Sequence, residues 1–249
     1  MHSGRSASAA PSPRRNTATT ARWRSRPWTR TEGRAGPEGE HGTNDVLTEK
    51  SCIAFSEALA SKAAVPGGGG ASALVGALGV ALGHMVGALT VGKAKYATVE
   101  EDLRALMARA EDLRQRLLRC VEKDAEAFEP LSRAYAIPKD DPEREETMER
   151  CLRTAAAAPL EILDLCCEAI ELQREFADKG SALAVSDAAT GVVFCWSAMY
   201  GAAVNVKVNT KAMKDRTFAD TINAHVDAQM AKYWPVAEKV YEDVYRRFC

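Results

Sequence analysis

From Thr48 to the C-terminus, apolar residues recur three and four positions apart and never alternate over a strand-length run, so the pattern predicts helices and no sheet. The first repeat is short: Cys52, Phe55 and Leu59 share a face, with Thr48 placed as N-cap. Pro66 and Gly67 to Gly70 then form a turn, because glycine tolerates backbone angles that other residues do not. Counting His84 as neutral, residues 63–92 carry no charge, and after the turn they read as one helix. Ser72, Gly76, Gly79, Gly83 and Gly87 fall on one face of it, and Leu74, Leu78, Leu82, Met85 and Leu89 on another. Interior glycines at that density cost roughly 3–4 kcal/mol relative to alanine. Close approach by another backbone would offset the cost, so this helix is expected to be buried all round. Gly92 with Lys93 and Lys95 should end it, since cations favour a helix C-terminus.

The later repeats are longer. Thr98 and Glu101 read as a capping box ahead of a helix whose core face runs Leu103, Leu106, Ala110, Leu113, Leu117, Val121, Asp124, Phe128 and Leu131. Asp141 with Pro142 should open the next helix, which runs to about Asp178 with a kink at Pro159 and a C-cap at Gly180. Ser186 or Asp187 opens a second uncharged helix that continues through Asn205-Val-Lys-Val-Asn209. Asn205 and Asn209 share a face there, and Lys207 and Lys211 form a neighbouring pair. The final helix carries Phe218, Ile222, Val226, Met230, Tyr233, Ala237, Val240, Val244 and Phe248. The expected architecture is all-α: one bundle of long helices, residues 46–249, around the Gly/Ala-rich helix.

Composition narrows this further. A chain of 249 residues with 46% hydrophobic content can bury a sizeable single core. Charge is unevenly spread: residues 1–45 hold eight Arg, no Lys and four acids, against 25 basic and 30 acidic residues in the remainder. An acidic body argues against non-specific nucleic-acid binding. Residues 1–45 have no apolar periodicity and no signal-type h-region, so they are expected to be a disordered tail or a spurious extension of a chain that starts at Val46. The uncharged helix is long enough to cross a bilayer, but Gly and Ala drive insertion weakly, and a core helix is the preferred reading. Its Gly-rich entry could cradle phosphate, yet neither a Walker Lys-Ser/Thr pair nor a spaced GxGxxG is present. Seven Cys without a CxxC pair suggest buried thiols in a reducing cytoplasm, and His84 and His225 are too isolated for a zinc site. His84 is expected as a satisfied core residue.

Asp124 is the anomaly, an acid at a position the helical period reserves for apolar side chains. A carboxylate there either has its pKa raised by desolvation, as in many active sites, or edges into solvent and pairs with a basic neighbour. Both readings stay open on periodicity alone.

Several separate motifs resemble one family. They are Pro66-Gly-Gly-Gly, the helix end Met85-Val-Gly-Ala-Leu-Thr with Gly92-Lys93 after it, and Asp124-Ala-Glu-Ala-Phe128. Ile137-Pro-Lys139, Ser186-Asp187 and Asn205-Val-Lys-Val-Asn209 with Asp215 follow in the same order. Over residues 48–248 the chain resembles the cyclodeaminase/cyclohydrolase family of folate enzymes. The resemblance implies an all-α cytoplasmic homodimer acting on a one-carbon tetrahydrofolate, with no metal or organic cofactor, no membrane and no nucleic acid. It implies Asp124 as catalytic acid and base, with Gly67, Gly68, Gly69, Lys93, Lys95, Ser186, Asp187, Asn205 and Asn209 binding substrate. Lys93 and Lys95 would meet the glutamate tail. The implied reaction is methenyltetrahydrofolate hydrolysis, with formiminotetrahydrofolate cyclodeamination as the alternative. A non-catalytic scaffold is a third reading, and loss of the aspartate would be its mark; Asp124 is present.

Overall fold

The computed structural model describes Val46–Cys249, and the expected tail lies outside these residues. Six α-helices follow one another: α1 (Cys52–Leu59), α2 (Gly68–Ala88), α3 (Glu100–Ala134), α4 (Arg144–Lys179), α5 (Val185–Ala212) and α6 (Arg216–Tyr245). No strand occurs among the described residues, as the periodicity predicts.

Helix α2 is the axis of the assembly, and its small-residue stripe is why. Ser72, Gly76, Gly79, Gly83 and Gly87 are all buried. A Cβ added at Gly79 would stand 2.6 Å from Cys195 Sγ and 2.8 Å from the carbonyl oxygen of Gly191, so the backbones of α2 and α5 nearly touch. At Gly83 it would stand 2.7 Å from Gln173 Oε1 and 2.8 Å from the Phe176 ring, both on α4. Buried Gln173 also donates from Nε2 to the Gly79 carbonyl at 2.6 Å, tying α4 to α2 across the core. Gly68 faces Asn205, Ser72 faces Gly201 and Gly79 faces Gly191, so α2 and α5 run antiparallel. Helix α3 supplies the third wall, with Leu103, Leu106, Leu113, Leu117 and Val121 fully or almost fully buried.

The leucine side of α2 departs from expectation. Leu78 is 50% exposed, Leu89 48% and Met85 37%, and His84 is only half-buried. Helices α3, α4 and α5 all take the glycine side, where backbones can approach, and leave Leu78, Met85 and Leu89 exposed, while Leu74 and Leu82 are half-buried. The helix is therefore not buried all round.

Several helix starts also move. Ser51, not Thr48, caps α1 by accepting from Ala54 N at 3.1 Å, while Thr48 N and Oγ1 donate to Glu122. Of the face read for α1 only Phe55 is buried. No capping box opens α3: Ala94–Val99 is a 3₁₀ turn, and α3 begins at Glu100 with no side-chain cap. Asp141 Oδ1 accepts from Glu143 N at 2.8 Å in a tight turn, which delays α4 to Arg144. Helix α5 starts at Val185, one residue before Ser186. Gly180 does follow α4 as its C-cap residue, and Gly92 takes a positive φ of 80° in the turn after α2.

The Gly79 contact yields an ordered stability series. Alanine adds about 1 kcal/mol of helix propensity over glycine, whereas overpacking costs about 1–3 kcal/mol. Gly79→Ala meets a carbonyl that cannot rotate away, so it should lower Tm. Gly76→Ala meets side chains alone, Cys166 Sγ at 3.2 Å, a Leu117 methyl at 3.4 Å and Ala198 Cβ at 3.5 Å, and should cost less. Thermal unfolding of both variants checks the order, and an unchanged Tm for Gly79→Ala would remove the tight α2–α5 contact.

Candidate active site

Asp124 projects from α3 to the N-terminus of α2. Its Oδ2 accepts from Gly70 N at 2.8 Å, taking up one of the backbone donors that the first turn of a helix leaves unused. The carboxylate can come this close because Gly69 has no side chain: an added Cβ would overlap Asp124 Oδ1. Among the described residues Asp124 has no basic ion-pair partner, which decides between the two readings of its position. Burial pushes its pKa above the usual carboxylate value, and the Gly70 N–H opposes this only in part. With Oδ2 anchored and Oδ1 free of intramolecular hydrogen bonds, the group is arranged to take up and return a proton.

Asp124 opens into a cleft of about 180 Å³ lined by Gly67, Gly68, Gly69, Phe128, Asn205 and Asn209, among others. Helix α5 presents the two asparagines one turn apart. Asn205 Nδ2 donates to the Gly201 carbonyl at 2.8 Å. Asn209 Nδ2 donates to the carbonyls of Ala155 and Asn205, both at 3.1 Å. Pro159 explains the first of these, since its missing N–H leaves the carbonyl four residues back, on Ala155, without a helical partner. With their amide nitrogens turned to backbone, both side chains have their carbonyl oxygens left over as acceptors.

The structure thus gathers Gly67, Gly68, Gly69, Asp124, Asn205 and Asn209 around one cleft. It does not gather the rest. Lys93 and Lys95 follow the far end of α2, about 30 Å from Gly68 at 1.5 Å per residue. Ser186 and Asp187 open α5 at that same end, where Ser181 N donates to Thr90 Oγ1 and Ala182 N to the Tyr96 hydroxyl. Lys93 therefore cannot reach the cleft of its own chain. Two further motif residues are structural. Asp215 caps α6 through Phe218 N at 3.0 Å and pairs with Arg153 at 2.7 Å, and the Ile137 carbonyl accepts from Arg144. Phe128, Ala155, Pro159 and Val208 also line the cleft and were not expected there. The proline was the available signal, because it predicts an orphan carbonyl at Ala155. No three His, Cys, Asp or Glu side chains come together as a metal-ligand group among the described residues.

Residues 51–228 match the formiminotransferase-cyclodeaminase family. The chain belongs to that family. A methenyltetrahydrofolate cyclohydrolase from Methylorubrum extorquens is 39% identical over 194 residues, covering 76% of this chain and 93% of the relative. The formimidoyltransferase-cyclodeaminase of Rattus norvegicus is 30% identical over 185 residues, 73% of this chain but only 34% of the longer rat protein. Among solved structures, formiminotetrahydrofolate cyclodeaminase from Thermotoga maritima superposes with a TM-score of 0.71 at 25% identity, covering 80% of this chain and 99% of that one. Membership in the family accounts for the helical fold.

Two outcomes follow from the carboxylate's setting. Gly69→Ala should displace Asp124 and reduce activity at least tenfold without unfolding the chain, read by turnover beside thermal unfolding. Asp124→Asn should raise Tm at neutral pH, because an amide keeps the Gly70 bond without the cost of a desolvated charge. The sign follows from linkage: with the folded pKa raised, the native state holds more protons than the unfolded state, so stability falls as pH rises through that interval. The gain in Asp124→Asn should then shrink as pH drops towards the usual carboxylate range. A gain independent of pH would remove the desolvated charge as its cause.

Proposed function

We propose that the chain is a methenyltetrahydrofolate cyclohydrolase, converting 5,10-methenyltetrahydrofolate and water to 10-formyltetrahydrofolate. The observation that carries the reading is the Asp124 carboxylate, unpaired by any cation among the described residues and held by one backbone N–H at the mouth of α2. The methenyl carbon carries positive charge shared with its two nitrogens, and Asp124 stabilises it electrostatically. Water adds to that carbon while Asp124 Oδ1 takes one of its protons, leaving a tetrahedral carbon between N5 and N10. The carbon–N5 bond then breaks with its electron pair going to N5, which receives the proton back from Asp124. The hydroxyl becomes the formyl carbonyl and releases its proton to solvent. A carboxyl group with a raised pKa suits both transfers. The reaction needs no electron carrier, and we assign the chain no metal or organic cofactor. The free carbonyl oxygens of Asn205 and Asn209 suit the amino and N3–H donors of a pterin.

Formiminotetrahydrofolate cyclodeamination uses the same tetrahedral carbon, with ammonia as leaving group, and the Thermotoga maritima neighbour bears that name. The cyclohydrolase relative is the more similar in sequence, and the match spans 93% of that relative, which favours hydrolysis.

We further propose a cytoplasmic homodimer. Helices α2 and α5 are each long and apolar enough to cross a membrane, and each packs its small residues within the bundle. We read the uncovered row of Leu78, Met85 and Leu89 as the face that meets a second copy, since an apolar row of that length is a typical protein interface. Leu78→Glu should convert the dimer to a monomer in light scattering; an unaltered mass would move the interface elsewhere.

The deciding experiment offers purified protein methenyl- and formimino-tetrahydrofolate side by side. Methenyl turnover should dominate, and Asp124→Asn should lower it by about 10²–10⁴, the usual scale of general acid-base catalysis. Dominant ammonia release would assign the chain to cyclodeamination. A folded Asn variant with near wild-type turnover would remove Asp124 from the mechanism.

A further inference from the structure

The cleft at Asp124, about 180 Å³, is smaller than the several hundred Å³ typical of pockets that enclose a whole cofactor-sized ligand. A folate is elongated: a pteridine bearing the one-carbon unit, then an aminobenzoyl ring, then one or more glutamate carboxylates. The cleft can hold the reacting end alone, and the rest of the molecule must lie outside it.

Val208 borders two cavities. On one side it lines the Asp124 cleft, and on the other it lines a groove of about 470 Å³ between α5 and α6. Tyr200, Val204, Met230 and Trp234 form the apolar part of this groove. Part of this lining is open to solvent: Val204 is 61% exposed, Val208 62% and Trp234 48%, while Tyr200 and Met230 are half-buried. Tyr200 and Trp234 meet edge to face at 5.9 Å, which leaves an aromatic wall of fixed orientation.

The far rim of the groove is cationic although the body of the chain is acidic. Lys207 is already engaged, by Asp227 at 2.8 Å and by the Asn223 carbonyl. Lys211, one turn further along α5, lines the same groove, is exposed, and forms no ion pair among the described residues. From Val208 at the edge of the cleft to Lys211 the helix advances only about 4.5 Å and keeps the same face. Lys93 and Lys95, by contrast, lie at the opposite end of the bundle.

We propose that this groove is the second half of the substrate site. The aminobenzoyl ring lies against Trp234 and Val208, and Lys211 receives the glutamate carboxylates. Val208 is then the threshold between the reacting end and the anionic arm. The assignment rests on the folate reading above. It makes Lys211 a specificity residue, acting on binding of the arm with no part in proton transfer.

The test compares wild type with Lys211→Glu and Trp234→Ala, using methenyltetrahydrofolate with one glutamate and with several. Wild-type turnover of either form secures the folate reading, whatever the variants do, and its absence defeats both. In Lys211→Glu the KM for the polyglutamate should rise about tenfold or more, the scale of a lost charge-assisted contact. The monoglutamate KM should rise less, and kcat should change less than KM, as expected when binding common to ground and transition states is lost. The gap between the two substrates should narrow at high ionic strength. Trp234→Ala should raise both KM values together. Lys239→Glu on the outer part of α6 controls for bulk charge. Equal KM shifts in Lys211→Glu and Lys239→Glu, or no shift in either, would overturn the proposal. So would a loss of the dimer in Trp234→Ala, which would make the groove a subunit contact.

Discussion

The contact between the backbones of α2 and α5 constrains nearly everything else in this bundle. Two helices carrying ordinary side chains pack with their axes roughly 8–10 Å apart. Glycine at positions 76, 79, 83 and 87 removes the spacers, so Cys195 and the Gly191 carbonyl, Gln173 and Phe176 close directly onto the α2 backbone. Such a core holds few aromatic anchors and depends on shape, since dispersion between close backbones replaces large side chains. Because the glycine stripe turns inward, Leu78, Met85 and Leu89 turn outward. That part of the surface is thus set by the packing of the centre.

The same geometry builds the chemistry. Helix α2 begins with three glycines beside α3, and only there can a carboxylate from a neighbouring helix lie against the first turn without meeting a side chain. Burial pushes the Asp124 carboxyl up while a single N–H holds it down in part, and it keeps one oxygen uncommitted. Two neighbouring devices serve the same site: a proline that frees a carbonyl on α4, and an asparagine on α5 that takes it up.

Much of this was legible in the residues, for physical reasons that differ between elements. Helical periodicity gave the order and rough extent of the six helices, because burial of one face repeats along the chain. It also marked Asp124, since an acid breaks that repeat. Helix starts were misread where an alternative hydrogen bond competes: Thr48 is taken by Glu122, and Asp141 closes its own turn. The placement of Lys93, Lys95, Ser186 and Asp187 could not be read, because their motifs say nothing about which end of a helix faces the cleft. Only the antiparallel pairing of α2 and α5 places them together, far from Asp124. The exposed leucines were missed for a related reason: an apolar repeat marks a face suited to burial, but three helices crowd the glycine side and leave part of the leucine side exposed.

The order in which this chain is synthesised adds a last consequence. Helix α2 is synthesised before α4 and α5, yet its stripe is completed by residues of those later helices. Gln173 reaches the Gly79 carbonyl across 94 positions, and Cys195 reaches Gly76 across 119. Contacts of such separation form slowly, since chain entropy is lost before they stabilise anything. A glycine-rich segment is also a weak helix in isolation. Until α4 and α5 arrive, the nascent chain must therefore carry an uncharged, unpaired and poorly helical stretch at its growing surface. Transiently exposed apolar surface is where partly folded chains associate, so that interval, more than the folded state, is the chain's point of weakness towards aggregation.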